Sequence, residues 1–146
     1  MLPKLPHVVC LTEHQLKEEE IESLSMNQYI LGATFWRQNL KHGSTGIFVH
    51  ESLAFTSIVQ EFCMWQDTEA CAVKINLLTA MIYVICVYRT PTGNFICFIQ
   101  GADIFLNKLI TKYWNYFMRQ YKYRLSWWKL LHTTTTGHFI CYIQLN

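Results

Sequence analysis

From position 80 to 88 the chain reads AMIYVICVY, nine apolar or aromatic residues with no polar break, and it stops at Arg89. Such a run shows neither strict alternation nor helical spacing, which is the pattern of a strand buried on both faces. A strand of that kind needs a covering layer on each side, so the rest of the chain has to supply at least two. The run is about half of what spanning a bilayer takes, and no longer apolar stretch exists, so no transmembrane segment is expected. No secretory leader is expected either, since residues 1–6 hold one Lys and two Pro with no apolar run behind them.

The flanking sequence predicts the layers. Residues 7–11 (HVVCL) form a second continuous apolar run and a buried strand. A helix is expected over 15–25, with Leu16, Ile21 and Leu24 inward. Glu18, Glu19, Glu20 and Glu22 point outward, early in the helix where its dipole favours them; they read as a solvated face. Strands are expected at 29–34, 45–50, 69–77 and 80–88, with turns at 41–44 and at Pro91-Thr92-Gly93. The clearest helix is 94–110, where Phe95, Phe98, Ile99, Ala102, Phe105, Leu106 and Leu109 recur every three or four residues behind Asn94 as N-cap. Gly101 weakens its middle by about 1 kcal/mol relative to Ala. This order implies an α+β layered fold whose two helices leave apolar sheet surface uncovered, a surface suited to self-association.

Charge divides the chain near Ile110. Residues 1–103 hold all ten acidic side chains against six basic ones, a formal charge of −4. Residues 104–146 hold six basic and no acidic side chains, +6, and half of the aromatics. Such a split between halves is unusual for one domain. The six cysteines sit mostly inside apolar runs such as VVC and VICVY, with no CxxC and no HxxxH. They read as reduced, buried thiols and not as a zinc site or a disulfide framework.

Chemistry concentrates at strand ends. Glu13 closes the first apolar run, where a sheet exposes its rim to ligands. Its commoner role there is a cap or an ion pair, because one carboxylate holds magnesium only with help from other oxygens. Tyr88 and Arg89 end the long run, placed to donate to or clamp a phosphate.

The stretches VVCLTEHQLKEEEIESL, YILGATFWRQNLKHGSTGIFV and EACAVKINLLTAMIYVICVYRTPTGNF closely resemble the endonuclease/exonuclease/phosphatase superfamily, which has the DNase I-like fold. The nearest branch is the apurinic/apyrimidinic-type endonuclease domain of insect non-long-terminal-repeat retrotransposons. The resemblance spans roughly residues 7–110 and implies about the first half of a four-layer α/β-sandwich. It makes Glu13 the counterpart of a magnesium-binding glutamate and places Tyr88 near the substrate phosphate. It also implies DNA as partner and nuclear action for an intact element. A glycine pair of the family stands here as Gly43-Ser44, one glycine lost. The family's upstream asparagine strand is missing from this chain. After the second helix the family has a strand ending in C-G-D-x-N, and later an Asp-His pair; none occurs here in frame.

The tail itself suggests why. One legal back-translation of residues 112–146, read one base later, has no stop codon. It encodes an apolar strand, C-G-N-x-N, D-Y-L and Y-N-L, in the family's order. Met118 with a CGN-coded Arg119 forces Cys there, and Trp127-Trp128-Lys129 can give only Gly-Gly. Gln120 cannot supply the Asp, only Asn or Ser. Residues 1–110 are therefore expected to form the truncated endonuclease-like domain and 111–146 a frame-shifted basic aromatic tail. Magnesium-dependent nicking, the family's activity, is expected to be lost, and stable magnesium binding with it.

Read literally, the tail is an amphipathic helix with Trp114, Phe117, Tyr121, Leu125 and Trp128 along one face. The alternative function is then non-enzymatic binding of nucleic acid or an anionic membrane, through Arg119, Lys122, Arg124, Trp127 and Trp128.

Overall fold

A computed structural model describes residues 6–36, 44–58, 68–90, 92–120, 128–133 and 138–145. Its elements run β1 (Val8–Thr12), α1 (Glu18–Ser23), β2 (Tyr29–Phe35), β3 (Thr45–His50), β4 (Ala54–Ile58), β5 (Thr68–Asn76), β6 (Met81–Arg89), α2 (Phe95–Gln120), β7 (Trp128–Thr133) and β8 (His138–Leu145). The strands form two sheets, ordered β1-β3-β2 and β4-β5-β6-β8-β7. Every strand pair is antiparallel. The chain is α+β.

The two long apolar strands sit where their composition requires. One face of β5 and β6 carries Cys71, Val73, Ile75, Val84 and Cys86 against Ala33, Ile47 and Val49 of the smaller sheet. The opposite face carries Ala70, Ala72, Tyr83, Ile85 and Val87 against Phe98, Phe105 and Leu109 of α2. Alternating side chains along each strand thus feed two cores, one between the sheets and one under the helix. On β3, Gly46 faces away from the inter-sheet core, and a Cβ there would stand 3.0 Å from Ile21 Cδ1 of α1.

Glycine is required where the sheets meet. Gly32 lies at the bulge that shifts the β2–β3 register between Leu31 and Ala33. A Cβ on it would fall 2.8 Å from Val73 Cγ1 and 3.0 Å from Val49 Cγ2. The bulge brings bare backbone against the facing sheet.

Several elements differ from the sequence expectation. α1 is shorter than 15–25, because Glu13 (φ 55°) and Gln15 (φ 57°) take left-handed backbone before it. Of its three expected inward residues only Ile21 is buried, and Leu24 is exposed. β4 was not expected; Ala54, Thr56 and Ser57 are exposed on this sheet-edge strand, so its apolar pattern is weak. Asn94 caps α2 as expected, its Oδ1 accepting from the Ile96 N–H at 2.8 Å and the Cys97 N–H at 3.2 Å. The helix crosses Ile110 and continues to Gln120. Trp128 begins a strand instead of extending a helical face, and β8 pairs with β6 inside the larger sheet. Phe95, Ile96 and Ile99 on α2 and Leu77 and Leu78 in the β5–β6 turn are exposed apolar residues.

Candidate functional site

β1 and β6 lie on facing sheets and pass one another in step. The Cys86 thiol reaches the Leu11 carbonyl at 3.8 Å. Two residues further along each strand, the Tyr88 phenol donates to the Glu13 carboxylate. Tyr88 faces the smaller sheet because it shares the side of β6 taken by Val84 and Cys86. Glu69 stands directly opposite Tyr88 in the β5–β6 ladder, and Thr45 heads β3. Together Glu13, Thr45, Glu69 and Tyr88 close one end of the inter-sheet core with polar groups.

One residue ties this layer together. The Ser44 N–H donates to Glu69 Oε2, and the Ser44 carbonyl accepts the Glu13 N–H at 2.8 Å. Ser44 holds φ 102° to do so, a backbone region that favours glycine. It is one of the two positions where the family resemblance expects a glycine pair. Glu13 also sits at positive φ, so two of the residues that shape the layer carry backbone strain.

Burial sets the electrostatics. Glu69 is fully buried and Tyr88 is 1% exposed, whereas the Glu13 side chain reaches solvent. The Tyr88 phenol is pushed up to about 12, first by burial and then by the charge and hydrogen bond of Glu13. The Glu69 charge adds to this, and Arg89 opposes it. Neighbouring His14 is half-buried and accepts the Leu16 N–H on Nδ1 at 3.1 Å. Burial pushes its pKa below the ordinary value, with the Thr45 backbone pulling the other way. Thr45 is fully buried, and its hydroxyl has no hydrogen-bond partner among the described residues.

The structure joins Glu13 to Tyr88 but not to Arg89. Being next in the strand, Arg89 turns to the other face, where Nη1 donates to the Gly93 carbonyl at 3.2 Å. Its guanidinium lies 5.9 Å from the Phe95 ring centroid. The rim also differs from the one anticipated, because these sheets are antiparallel and the parallel-sheet rule for ligand clefts does not apply. Of the tail candidates, Arg119 falls on α2 and Trp128 on β7. Lys122, Arg124 and Trp127 lie outside the described residues. A cavity of about 290 Å³ is elsewhere, between β2, β4 and α2, lined by Thr34, Trp36, Ser57 and Phe105 among others.

Sequence reading missed Glu69, Thr45 and His14. Glu69 offered one signal, a carboxylate opening an otherwise apolar strand, which in a core position has to be hydrogen-bonded.

Comparison with protein-family models, curated proteins and solved structures finds no match. The residues themselves must therefore carry any functional reading. Magnesium favours six oxygens in octahedral array. Here Glu13 is the one solvent-reaching carboxylate of the layer, and Glu69 is buried and turned to the Ser44 N–H. Among the described residues no group of three or more His, Cys, Asp or Glu is placed to hold a metal. This donor set does not fit a stably held magnesium ion.

Proposed function

We propose that residues 1–110 are the first half of an endonuclease/exonuclease/phosphatase-type domain derived from a non-long-terminal-repeat retrotransposon, in a form without nuclease activity. The observation that carries this reading is the contact of Glu13 with Tyr88, from strands on facing sheets. These are the residues that the resemblance assigns to the metal and to the substrate phosphate. The layer order supports it too: α2 lies outside the larger sheet, and Ile21 of α1 lies against the outer side of β3. That is the arrangement of a helix–sheet–sheet–helix sandwich.

Inactivity follows from what stands after the second helix. Residues 104–146 contain no acidic side chain, so nothing there can position an attacking water as the family's Asp does. Members of such a catalytic unit act together, and losing one removes most of the rate. On supercoiled plasmid with magnesium, the chain and its Glu13→Ala variant should nick equally, at background. Strong nicking abolished by that substitution would overturn the reading. The nucleotide sequence from the Ile110 codon onward supplies the second test. The next frame should encode the missing strand and run on into nuclease sequence.

The +6 charge of residues 104–146 favours one other reading, a sequence-tolerant polyanion binder. It requires retention on DNA or anionic vesicles that falls steeply with salt and vanishes without residues 111–146.

A further inference from the structure

Three cysteines from three strands converge in the inter-sheet core, away from the polar layer. Cys71 and Cys86 are register partners on β5 and β6, and both are buried in one core cluster. Cys10 of β1 packs against that cluster from the facing sheet. Cys86 is the shared member, in thiol hydrogen bonds with both Cys10 and Cys71. Its contact with the Leu11 carbonyl at 3.8 Å shows how closely β1 approaches β6 at this level.

The three thiols are not equivalent. Cys10 is only partly buried, whereas Cys71 and Cys86 are closed off from solvent. The hydrogen bond from Cys86 pushes the Cys10 thiol below its ordinary pKa, against the effect of burial. Cys86 is pushed well above its own, first by its bonding with Cys10, then by Cys71 and burial. An oxidant therefore meets the more thiolate-like sulfur first, with a resolving thiol already in contact.

We propose that Cys10 and Cys86 form a peroxide-responsive pair that closes into a disulfide stapling the two sheets. The Cys10 thiolate attacks one oxygen of hydrogen peroxide, the O–O bond breaks, and hydroxide leaves to take up a proton as water. The resulting Cys10 sulfenic acid is then attacked by the Cys86 sulfur. Its hydroxyl departs with the Cys86 proton as a second water, and the S–S bond forms. Two thiols are oxidised and one peroxide is reduced to two waters, so no further reactant is needed. The link spans positions 10 and 86 and constrains the unfolded chain over most of the folded part.

The test uses the full chain treated with hydrogen peroxide and then alkylated. Trypsin separates the cysteines, since residues 5–17 contain only Cys10 and residues 75–89 contain only Cys86. The expected product is those two peptides joined, two hydrogens lighter than their sum, and released by dithiothreitol. The oxidised chain should melt roughly 5–10 °C higher than the reduced one. Cys97→Ala, at an exposed helix position, should leave the link intact. Cys10→Ala should abolish it and leave Cys86 open to alkylation only after unfolding. Because Cys10→Ala is a core change, reduced wild type and variant are first compared by circular dichroism. If the variant is unfolded, the wild-type peptide map alone decides. Linkage of Cys10 to Cys63, Cys71 or Cys141, or its conversion to sulfinic acid with Cys86 still free, would overturn the proposal.

Discussion

Replacing Ser44 by glycine should stabilise the protein, although glycine usually weakens a fold. Ser44 stands at φ 102° immediately before β3. A residue with a Cβ in left-handed backbone costs about 1–2 kcal/mol, and φ 102° lies beyond the usual left-handed well near 57°. Glycine removes that cost and adds back about 0.4–1 kcal/mol of unfolded-state entropy. Neither anchoring bond is lost, since the Ser44 N–H to Glu69 and the Ser44 carbonyl to the Glu13 N–H are both backbone groups. The net gain is about 1 kcal/mol, which for a chain of this size raises the melting temperature by roughly 2–4 °C. Thermal and urea unfolding followed by circular dichroism would measure it. Ser44→Ala is the control: it keeps the Cβ and the strain, so it should gain nothing. If glycine proves no more stable than alanine at this position, the backbone is not strained there. The link between Ser44 and a lost family glycine would then fail as well.

At Gly32 the expectation reverses. Gly32→Ala puts a Cβ 2.8 Å from Val73 Cγ1 within the inter-sheet core, and should cost about 1–3 kcal/mol in urea unfolding. Tyr88 makes the fold alkali-sensitive. Its phenol titrates near 12 when folded and near 10 when unfolded, so the unfolded chain holds fewer protons between those values. Stability from this group is therefore intact below pH 10 and is lost as pH rises through about 12, by on the order of 2 kcal/mol. Glu13→Ala should bring the Tyr88 transition, followed by phenolate absorbance, below that of the wild type. Burial keeps it above an ordinary tyrosine. His14 acts at the other end of the scale. Its folded pKa is depressed, so its contribution is present above about pH 6.5 and fades as pH falls through the folded value; His14→Gln should flatten that acid limb. Asn94→Ala removes the cap that holds the Ile96 and Cys97 amides and should cost about 1 kcal/mol in thermal unfolding.

What the sequence revealed and what it hid divide along the range of the forces involved. β1, β3, β5 and β6 were legible because a buried strand writes its burial into consecutive apolar residues. The start of α2 was legible because Asn94 and the spacing of Phe98, Phe105 and Leu109 are local signals. The tail misled for the same reason. Trp114, Phe117, Tyr121, Leu125 and Trp128 keep helical spacing, yet β8 joins the sheet beside β6 and Trp128 opens the strand that pairs with it. Exposed backbone on the edge of a long apolar strand is a strong demand, and a helical stripe does not record it. The candidate site shows the same division within a few residues. Glu13 could be picked out from its place at the end of β1. Glu69 could not, because nothing near it in sequence announces the Ser44 N–H that makes its burial tolerable. Nor does local pattern say that β1 will lie over β6, although Leu11 and Cys86 meet across 75 residues of chain. That crossing alone brings Glu13 to Tyr88 and, two residues back, Cys10 to Cys86. The polar layer and the thiol pair are thus two consequences of one strand crossing. A substitution that moves β1 relative to β6 should disturb the Tyr88 titration and the peroxide-induced link together, whereas Glu13→Ala should change only the first.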